Sequence, residues 1–456
     1  MINNTNQTKN HYVFAKVAKP LKGYGSALLL FGLLTAQVAK AQDKTLTIQE
    51  AIKLGIDNSK TLKLSQSKID RAVSQYNQAK DRQLPTGNAS FAYNRAQIPA
   101  HTLNLGGQTI ELPNSANAYL GIASVEETIF AGGRLKYAQQ STELLTQVAR
   151  LDADKDKDQI VYDVINAYYN LYKVLQSQKV VAQNITSIDQ QLTQAQRFFD
   201  QGLVTKNDVL RFQLQKSNIQ LSGLDLESNR KIINYNLDVL LGLPETTELK
   251  IDVVNEANHS LAPLTAYIDS AMNTRQELRQ LDLQNRYAET NIKSITAQRL
   301  PTVGVGANLY YLDLSGNPIP TSGNYIVPIT LAATVSWNFG TLWTNKNKEA
   351  EARIQREETV INKSITTDYL KDEVNRNYQS YVTAQDKIKL LETAIAQANE
   401  NNKILESKYQ SNIASVTDRV DAQTLLYQAQ INLELAKADA GLAYYTLLKS
   451  TGKLNK

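Results

Sequence analysis

Asp418 and Asp421, in the stretch SVTDRVD, stand three residues apart and so share one face of a helix. Carboxylates at that spacing can select or hold cations when they are repeated around a pore. They have little to work with as catalysts. The chain has no cysteine and only three histidines, His11, His101 and His259. Thiolate metal sites and disulfides are therefore excluded, and imidazole chemistry is poorly supplied. No nucleophile–base pair, metal-spaced cluster or phosphate loop stands out. GVGANL at 304–309 is glycine-rich, but it lies in a strand-like run and opens no helix, so it is not a dinucleotide fingerprint. The expectation is a protein that is not an enzyme, with no cofactor and no metal.

Asp418 has a second reading. Ser415-x-x-Asp418 fits a capping box, in which a hydroxyl caps a helix and an acid three residues on bonds back. Thr205-x-x-Asp208 fits it equally. Asp421 has no such account, since its counterpart is Arg211.

The two caps belong to one turn written twice. FFDQGLVTKNDVL at 198–210 and KYQSNIASVTDRV at 408–420 align Phe199 with Tyr409, Gly202 with Asn412, Leu203 with Ile413, Thr205 with Ser415 and Asp208 with Asp418, each 210 residues apart. Tyr168 and Tyr378, Tyr235 and Tyr445, and Gly242 and Gly452 keep that offset. RQLPT at 82–86 and QRLPT at 298–302 are 216 apart, and Phe130 and Phe339 are 209 apart. This is a tandem duplication, with loops of unequal length between the anchors.

Each copy reads in the same order. A helical segment, 47–83 or 264–299, stops at Leu-Pro, where proline disfavours helix in the residue before it. Two strands follow, at 86–98 and 118–130 and again at 302–314 and 325–339. In the second copy Val303, Val305, Ala307, Leu309 and Tyr311 alternate with Thr302, Gly304, Gly306 and Asn308. Ile329, Leu331, Ala333, Val335, Trp337 and Phe339 alternate with small and polar residues. Alternation over so many residues is the pattern of a transmembrane barrel. The alternative is an amphipathic soluble sheet, whose strands average about five or six residues and are shorter than these. Glu126 and Glu127 break it and suggest a bulge. Phe130, Trp337 and Phe339 close strands as interface aromatics do. Four strands cannot close a barrel, and hydrocarbon tolerates no open edge, so other copies must complete it. Three copies give twelve strands and are the economical inference, although two copies would also satisfy the arithmetic.

From about Arg134 to Phe199 and Thr344 to Tyr409 there is neither proline nor internal glycine. Each run would extend about 100 Å as helix, which needs coiled-coil support. After the second turn Val420, Thr424, Tyr427, Ile431, Leu435, Ala438, Leu442 and Tyr445 recur at steps of four and three. In the first copy the same positions are Leu210, Leu214, Ser217, Leu221, Asp225, Ser228, Ile232 and Tyr235, so the stripe is apolar but interrupted by small and polar residues. The charged run DADKDKD at 152–158 reads as a solvated helix face.

At the N-terminus, lysines, SALLLFGLLTA and Ala39–Ala41 make a signal peptide cleaved after Ala41. Five lysines and no acid precede Gln42, so the formal charge of +5 falls near zero after removal. A basic nucleic-acid surface is not supported. The expected organisation is a signal peptide at 1–41, a first repeat at 42–245, a linker at 246–262 and a second repeat at 263–456. The turns fall near 202–208 and 412–418.

The duplication, the Leu-Pro pairs, ETIFAGGR, FDQGLVTKNDV and YQSNIASVTDRVD together resemble the TolC-like outer-membrane efflux proteins. The resemblance spans essentially the whole mature chain. It implies a mainly α protein with a small β part. It further implies a homotrimer with a 12-stranded transmembrane β-barrel, continued by a long α-helical coiled-coil tunnel in the periplasm. The chain would be a passive exit duct in the outer membrane. Its partners would be a periplasmic adaptor protein and, through it, an inner-membrane transporter of a tripartite efflux or type I secretion system. Gly202, Leu203, Val204 and Thr205, with Asn412, Ile413, Ala414 and Ser415, would be the hairpin tips that meet the adaptor. Asp418 and Asp421 fall where the family places its constricting, cation-selective rings. The arginine that can latch the closed tip in the family is absent, because Ala414 holds its place. Arg211 and Arg419 are the available substitutes. The alternative class is a periplasmic coiled-coil adaptor or scaffold with no channel of its own. An adaptor would carry one hairpin between β-rich domains, whereas here two hairpins alternate with barrel-like strands.

Overall fold

The computed structural model describes residues 44–97, 99, 102–111, 115–252, 260–315 and 325–454. The signal segment, all three histidines and parts of both inter-strand loops lie outside them. The first repeat runs through β1 (Lys44–Leu46), α1 (Ile48–Asn58), α2 (Lys60–Asp81), β2 (Thr86–Gln97), β3 (Thr102–Leu105), β4 (Gln108–Glu111), β5 (Ser115–Phe130), α3 (Arg134–Asp200) and α4 (Lys206–Leu241). The second runs through β6 (Leu249–Ile251), α5 (Leu264–Thr274), α6 (Gln276–Ala297), β7 (Thr302–Ser315), β8 (Tyr325–Ile326), β9 (Ile329–Ser336), α7 (Thr341–Gln410) and α8 (Val416–Ser450). The long helices have 67 and 70 residues.

The segments read as single helices at 47–83 and 264–299 are each broken once. Ser59 and Arg275 take extended backbone angles there. The break puts a side chain where the returning helix ends. Asn58 Nδ2 donates to the carbonyl of Leu241 at 2.7 Å, and Thr274 Oγ1 donates to that of Thr451 at 2.5 Å. Gly242 and Gly452 follow those carbonyls at φ 67° and 68°. A Cβ at either would come within 2.7 or 2.9 Å of the same Asn58 or Thr274 side chain. One staple is thus built twice. The second copy adds the buried Arg275, which bonds Glu277 through two nitrogens at 2.9 and 3.0 Å, Glu373 at 3.2 Å and the Ser450 carbonyl at 3.1 Å.

Beside the first staple, β1 pairs in parallel with β6. Leu46, Val164, Tyr168, Leu171, Leu237, Leu241 and Leu249 form a buried cluster there. The charged run at 152–158 is not merely a solvated face. Asp156 accepts from Ser65 of α2 at 2.6 Å, while Asp152 and Asp158 accept from Gln280 and Gln276 of α6 at 2.6 and 2.8 Å. Its aspartates tie α3 to the helices on either side.

Four long strands form one antiparallel sheet in the order β2–β5–β7–β9, with β8 also on β7. The register sorts two faces. Phe91, Gly121, Tyr311 and, further along, Val125, Ala307 and Leu331 share one, with Val305 and Ala333. Asn88, Ser90, Asn94, Ser124, Asn308, Thr330 and Thr334 share the other. The bulge suggested at Glu126–Glu127 lies instead between Thr128 and Phe130. The two glutamates sit in regular register, opposite Gly306 and Val305, and point to opposite faces. The run read as one strand at 325–339 is interrupted, because Pro328 cannot donate to a ladder, and β9 ends at Ser336. Trp337, Phe339 and Trp343 cluster just beyond it, with ring centres 6.3 and 6.0 Å apart. At the far end of the apolar face Tyr93, Tyr119, Tyr311 and Tyr325 gather in pairs 5.1 and 5.7 Å apart. That second aromatic group was not apparent in the alternation.

The two matching helix stripes fare differently. On α8, Ala438, Leu442 and Tyr445 pack against Ile165, Tyr169 and Tyr172 of α3. On α4 the equivalent residues Ser228, Ile232 and Tyr235 are uncovered, with Ile232 56% and Tyr235 46% exposed.

Asp238 is the outlier of the first core. It is fully buried, one carboxylate oxygen accepts from Asn234 at 2.8 Å, and the other has no partner. Burial pushes its carboxyl up to about 6. A carboxyl raised on folding leaves stability intact below the ordinary carboxylate value and removes it as pH rises through the folded one. The second copy has Leu448 at this position, and Asn234 keeps its bond to the Thr247 carbonyl at 2.7 Å. Asp238→Leu is therefore expected to stabilise the protein at pH 7.5 by on the order of 1–3 kcal/mol. It should also flatten the decline between about pH 4 and 6. Thermal unfolding across that range checks both.

Candidate functional site

The paired turns share one hydrogen-bond pattern, to which the second adds Ala414 N–H on the Lys408 carbonyl at 3.3 Å. After α3 the chain passes Gly202 at φ 76°, with Gly202 N–H on the Phe199 carbonyl at 2.9 Å and Leu203 N–H on the Phe198 carbonyl at 2.8 Å. After α7 it passes Asn412 at φ 56°, with Asn412 and Ile413 N–H on the Tyr409 and Lys408 carbonyls at 3.0 and 2.8 Å. This is the Schellman closure, which needs a left-handed residue. Glycine adopts that conformation freely, and asparagine is among the next most tolerant.

The next helix then starts with a capping box. Asp208 N–H donates to Thr205 Oγ1, while Thr205 N–H and Oγ1–H donate to Asp208 Oδ2 at 2.8 and 2.7 Å. Ser415 and Asp418 repeat this at 3.2 and 2.7 Å. The Ser415 bonds hold the Asp418 carboxyl below its usual value. Its cap is thus complete above the carboxylate range and fails only as pH falls through it. Leu203 and Ile413 lie exposed at the two apices, and Val204 and Ala414 are half-buried. Asp418 and Asp421 are both exposed on α8, on the face that also carries Thr417 and Leu425.

Below the turns the copies diverge. Tyr409 is buried against Phe198 and Phe212 of the first hairpin, at ring distances of 5.9 and 6.0 Å. It pins the second tip to the first. Its counterpart Phe199 instead lies beneath the ammonium of Lys206, 5.7 Å away. Farther up, buried amides bridge the hairpins. Gln423 donates to Asn184 at 2.9 Å, and Asn184 to Gln430 at 3.1 Å. The sequence signal for Tyr409 was only its alignment with Phe199, which gives no hint of the partner it fills.

Arg419 does not replace the missing latch. Its guanidinium is buried within its own hairpin, donating to Asn402 at 2.5 Å and facing Glu406 at 3.7 Å. Burial lowers its proton affinity. The first copy has the buried Val209 there. Arg211 is exposed and forms no ion pair among the described residues.

The family profile described as outer membrane efflux protein matches residues 51–243 and 267–453. Outer membrane efflux protein BepC of Brucella suis biovar 1 is 23% identical, covering 97% of this chain and 92% of its own. Among solved structures, the outer membrane protein VceC of Vibrio cholerae superposes with a TM-score of 0.73 at 15% identity, over 89% of this chain and 96% of that one. The Campylobacter jejuni CmeC outer membrane channel gives 0.70 at 13% identity, over 96% and 94%.

The hydroxyl of Tyr409 is buried without a hydrogen-bond partner. Tyr409→Ala is expected to cost about 3–5 kcal/mol of local stability by emptying the aromatic pocket. Tyr409→Phe should be neutral or stabilising, because it removes an unsatisfied polar group. Hydrogen exchange of residues 195–215 and 405–425 separates the two.

Proposed function

The chain belongs to the outer membrane efflux protein family, and from that membership we propose how it assembles and what its tips do. The protein is an outer-membrane exit duct for efflux systems, with its helical part in the periplasm. We infer that three copies close the duct. Among the described residues both edges of the four-stranded sheet, β2 and β9, are unpaired, and hydrocarbon would leave their backbone groups unsatisfied. Three sheets joined edge to edge give twelve strands. The apolar face then meets lipid. Phe130, Trp337, Phe339 and Trp343 border it at one interface, and the four tyrosines border it at the other.

The observation that carries the ring is the bare stripe on α4. Its twin on α8 is covered by α3 of the same chain, so by the duplication α4 should be covered by α7 of a neighbour. The contact of Tyr445 with Tyr169, 5.9 Å between rings, maps onto Tyr235 of one copy and Gln379 of the next. Six tips then surround the mouth. Gly202–Thr205 and Asn412–Ser415 present the contact to a periplasmic adaptor, and through it the duct receives cargo from an inner-membrane transporter. Asp418 and Asp421 of three chains supply six carboxylates at the constriction, and these favour cations.

Two results test this reading. In a chain without cysteine, Tyr235→Cys with Gln379→Cys should give disulfide-linked dimers and trimers from outer membranes, and the detergent-extracted protein should have the mass of three chains. A monomer with no cross-link would remove the ring. In planar bilayers Asp421→Ala should lower the preference for cations severalfold. Unchanged selectivity would remove the aspartate ring from the constriction.

A further inference from the structure

The polar face of the sheet is almost free of charge. Across β2, β5, β7 and β9 it presents Thr86, Asn88, Ser90, Asn94, Ser124, Asn308, Thr330 and Thr334, with small and apolar residues between them. Among the described residues of these four strands it carries one ionisable carboxylate, Glu126. The other charged side chains, Arg95, Glu127 and Asp313, fall on the apolar face by the same register.

The position of Glu126 is fixed by its neighbours. It pairs with Thr86 on one side and Gly306 on the other, and the Thr86 hydroxyl donates to its backbone carbonyl at 3.3 Å. A Cβ at Gly306 would lie 3.3 Å from Glu126 Cγ. Glycine there leaves room for the glutamate stem to lie across β7. Gly304, the next residue on that face, leaves the adjoining surface equally low. Glu126 forms no ion pair among the described residues. It stands level with the first residue of β2 and four residues before the end of β5, at the end of the sheet that continues into α3.

We propose that Glu126 is a charge-selectivity determinant of the duct, contributing one carboxylate from each chain to a ring inside the barrel where it joins the helical tunnel. This rests on the trimeric duct proposed above. A single unpaired charge on an otherwise neutral wall dominates the local field, because the low-dielectric strands and lipid behind it focus field lines into the pore. Such a ring raises cation occupancy and repels anions at the barrel mouth. It is separate from the aspartates of the tip, which lie beyond the long helices. Anionic cargo passing outward would meet both.

The absence of native cysteine makes the test direct. Glu126→Cys and Glu127→Cys are assembled as full-length protein and studied in planar bilayers under a potassium chloride gradient. Glu126→Cys should lower the cation-to-anion permeability ratio about two-fold. A sulfonate-bearing thiol reagent should restore the ratio, and a trimethylammonium-bearing one should lower it further. Glu127→Cys should keep the wild-type ratio and resist both water-borne reagents. Glu126→Gln, which keeps the side-chain shape, should match Glu126→Cys and carries the test if the cysteine variant does not assemble. The effect should persist in an Asp421→Ala background, so loss of the tip reading leaves it standing. A wild-type ratio in Glu126→Gln, or labelling of Glu127→Cys in place of Glu126→Cys, overturns the proposal. A wild-type protein that forms no pore overturns the duct reading and this inference with it.

Discussion

A backbone amide in hydrocarbon has no water to turn to. Four strands in an open sheet leave two rows of such groups, one along β2 and one along β9. Everything else about the chain is arranged around that debt. The apolar face can enter a membrane only if the edges are joined. In the proposed assembly the edges are joined by copies of the same chain. Whatever curvature closes the strands must also be met by the helices, because β5 leads into α3 through Gly132 and Gly133, at φ 65° and 89°. In the proposed ring the long helices, which share small buried clusters within the chain, become walls, each supported by the next.

The duplication supplies the walls economically and also explains their faults. Where both copies face the same demand they kept the same answer. The Schellman turn, the capping box and the Asn58 or Thr274 staple are repeated with bond lengths that agree within a few tenths of an ångström. Where the copies face different neighbours they drifted. Tyr409 enters the first hairpin, while Phe199 stays at its own. Arg419 fills a polar hollow that Val209 fills with hydrocarbon. Asp238 lies in a core where its twin is leucine. Tyr409 marks a place where one repeat meets the other, whereas Arg419 diverges within its own hairpin.

Much of this was legible in the sequence, and the reason is locality. A turn that needs positive φ shows itself as Gly202 and Asn412. A cap shows itself as a hydroxyl and an acid three apart. A membrane strand shows itself by alternation. What was not legible depended on partners distant in the chain. The break at Ser59 has a local mark, since its hydroxyl accepts from Leu62 N–H and caps α2, whereas Arg275 gives no side-chain cap. Both breaks meet carbonyls distant in the chain, on α4 and at the end of α8. The bulge sits two residues past the glutamates because the β5–β7 ladder slips there, and neither strand alone records the slip. The charged run at 152–158 looked solvated because its partners, Ser65, Gln276 and Gln280, are remote. Arg419 looked available because sequence does not show burial.

The pinning of the second tip by Tyr409 has a consequence for anything that binds the mouth. In the proposed ring of three chains the six hairpins would not be six equal teeth. Each seam inside a chain is filled by an aromatic ring, and each seam between chains is formed by surfaces that meet only on assembly. A partner with one repeating finger would find two kinds of notch in alternation. It would grip three of them differently from the other three. Its own symmetry would be lowered to match, and a change in one hairpin would loosen alternate fingers while the rest held.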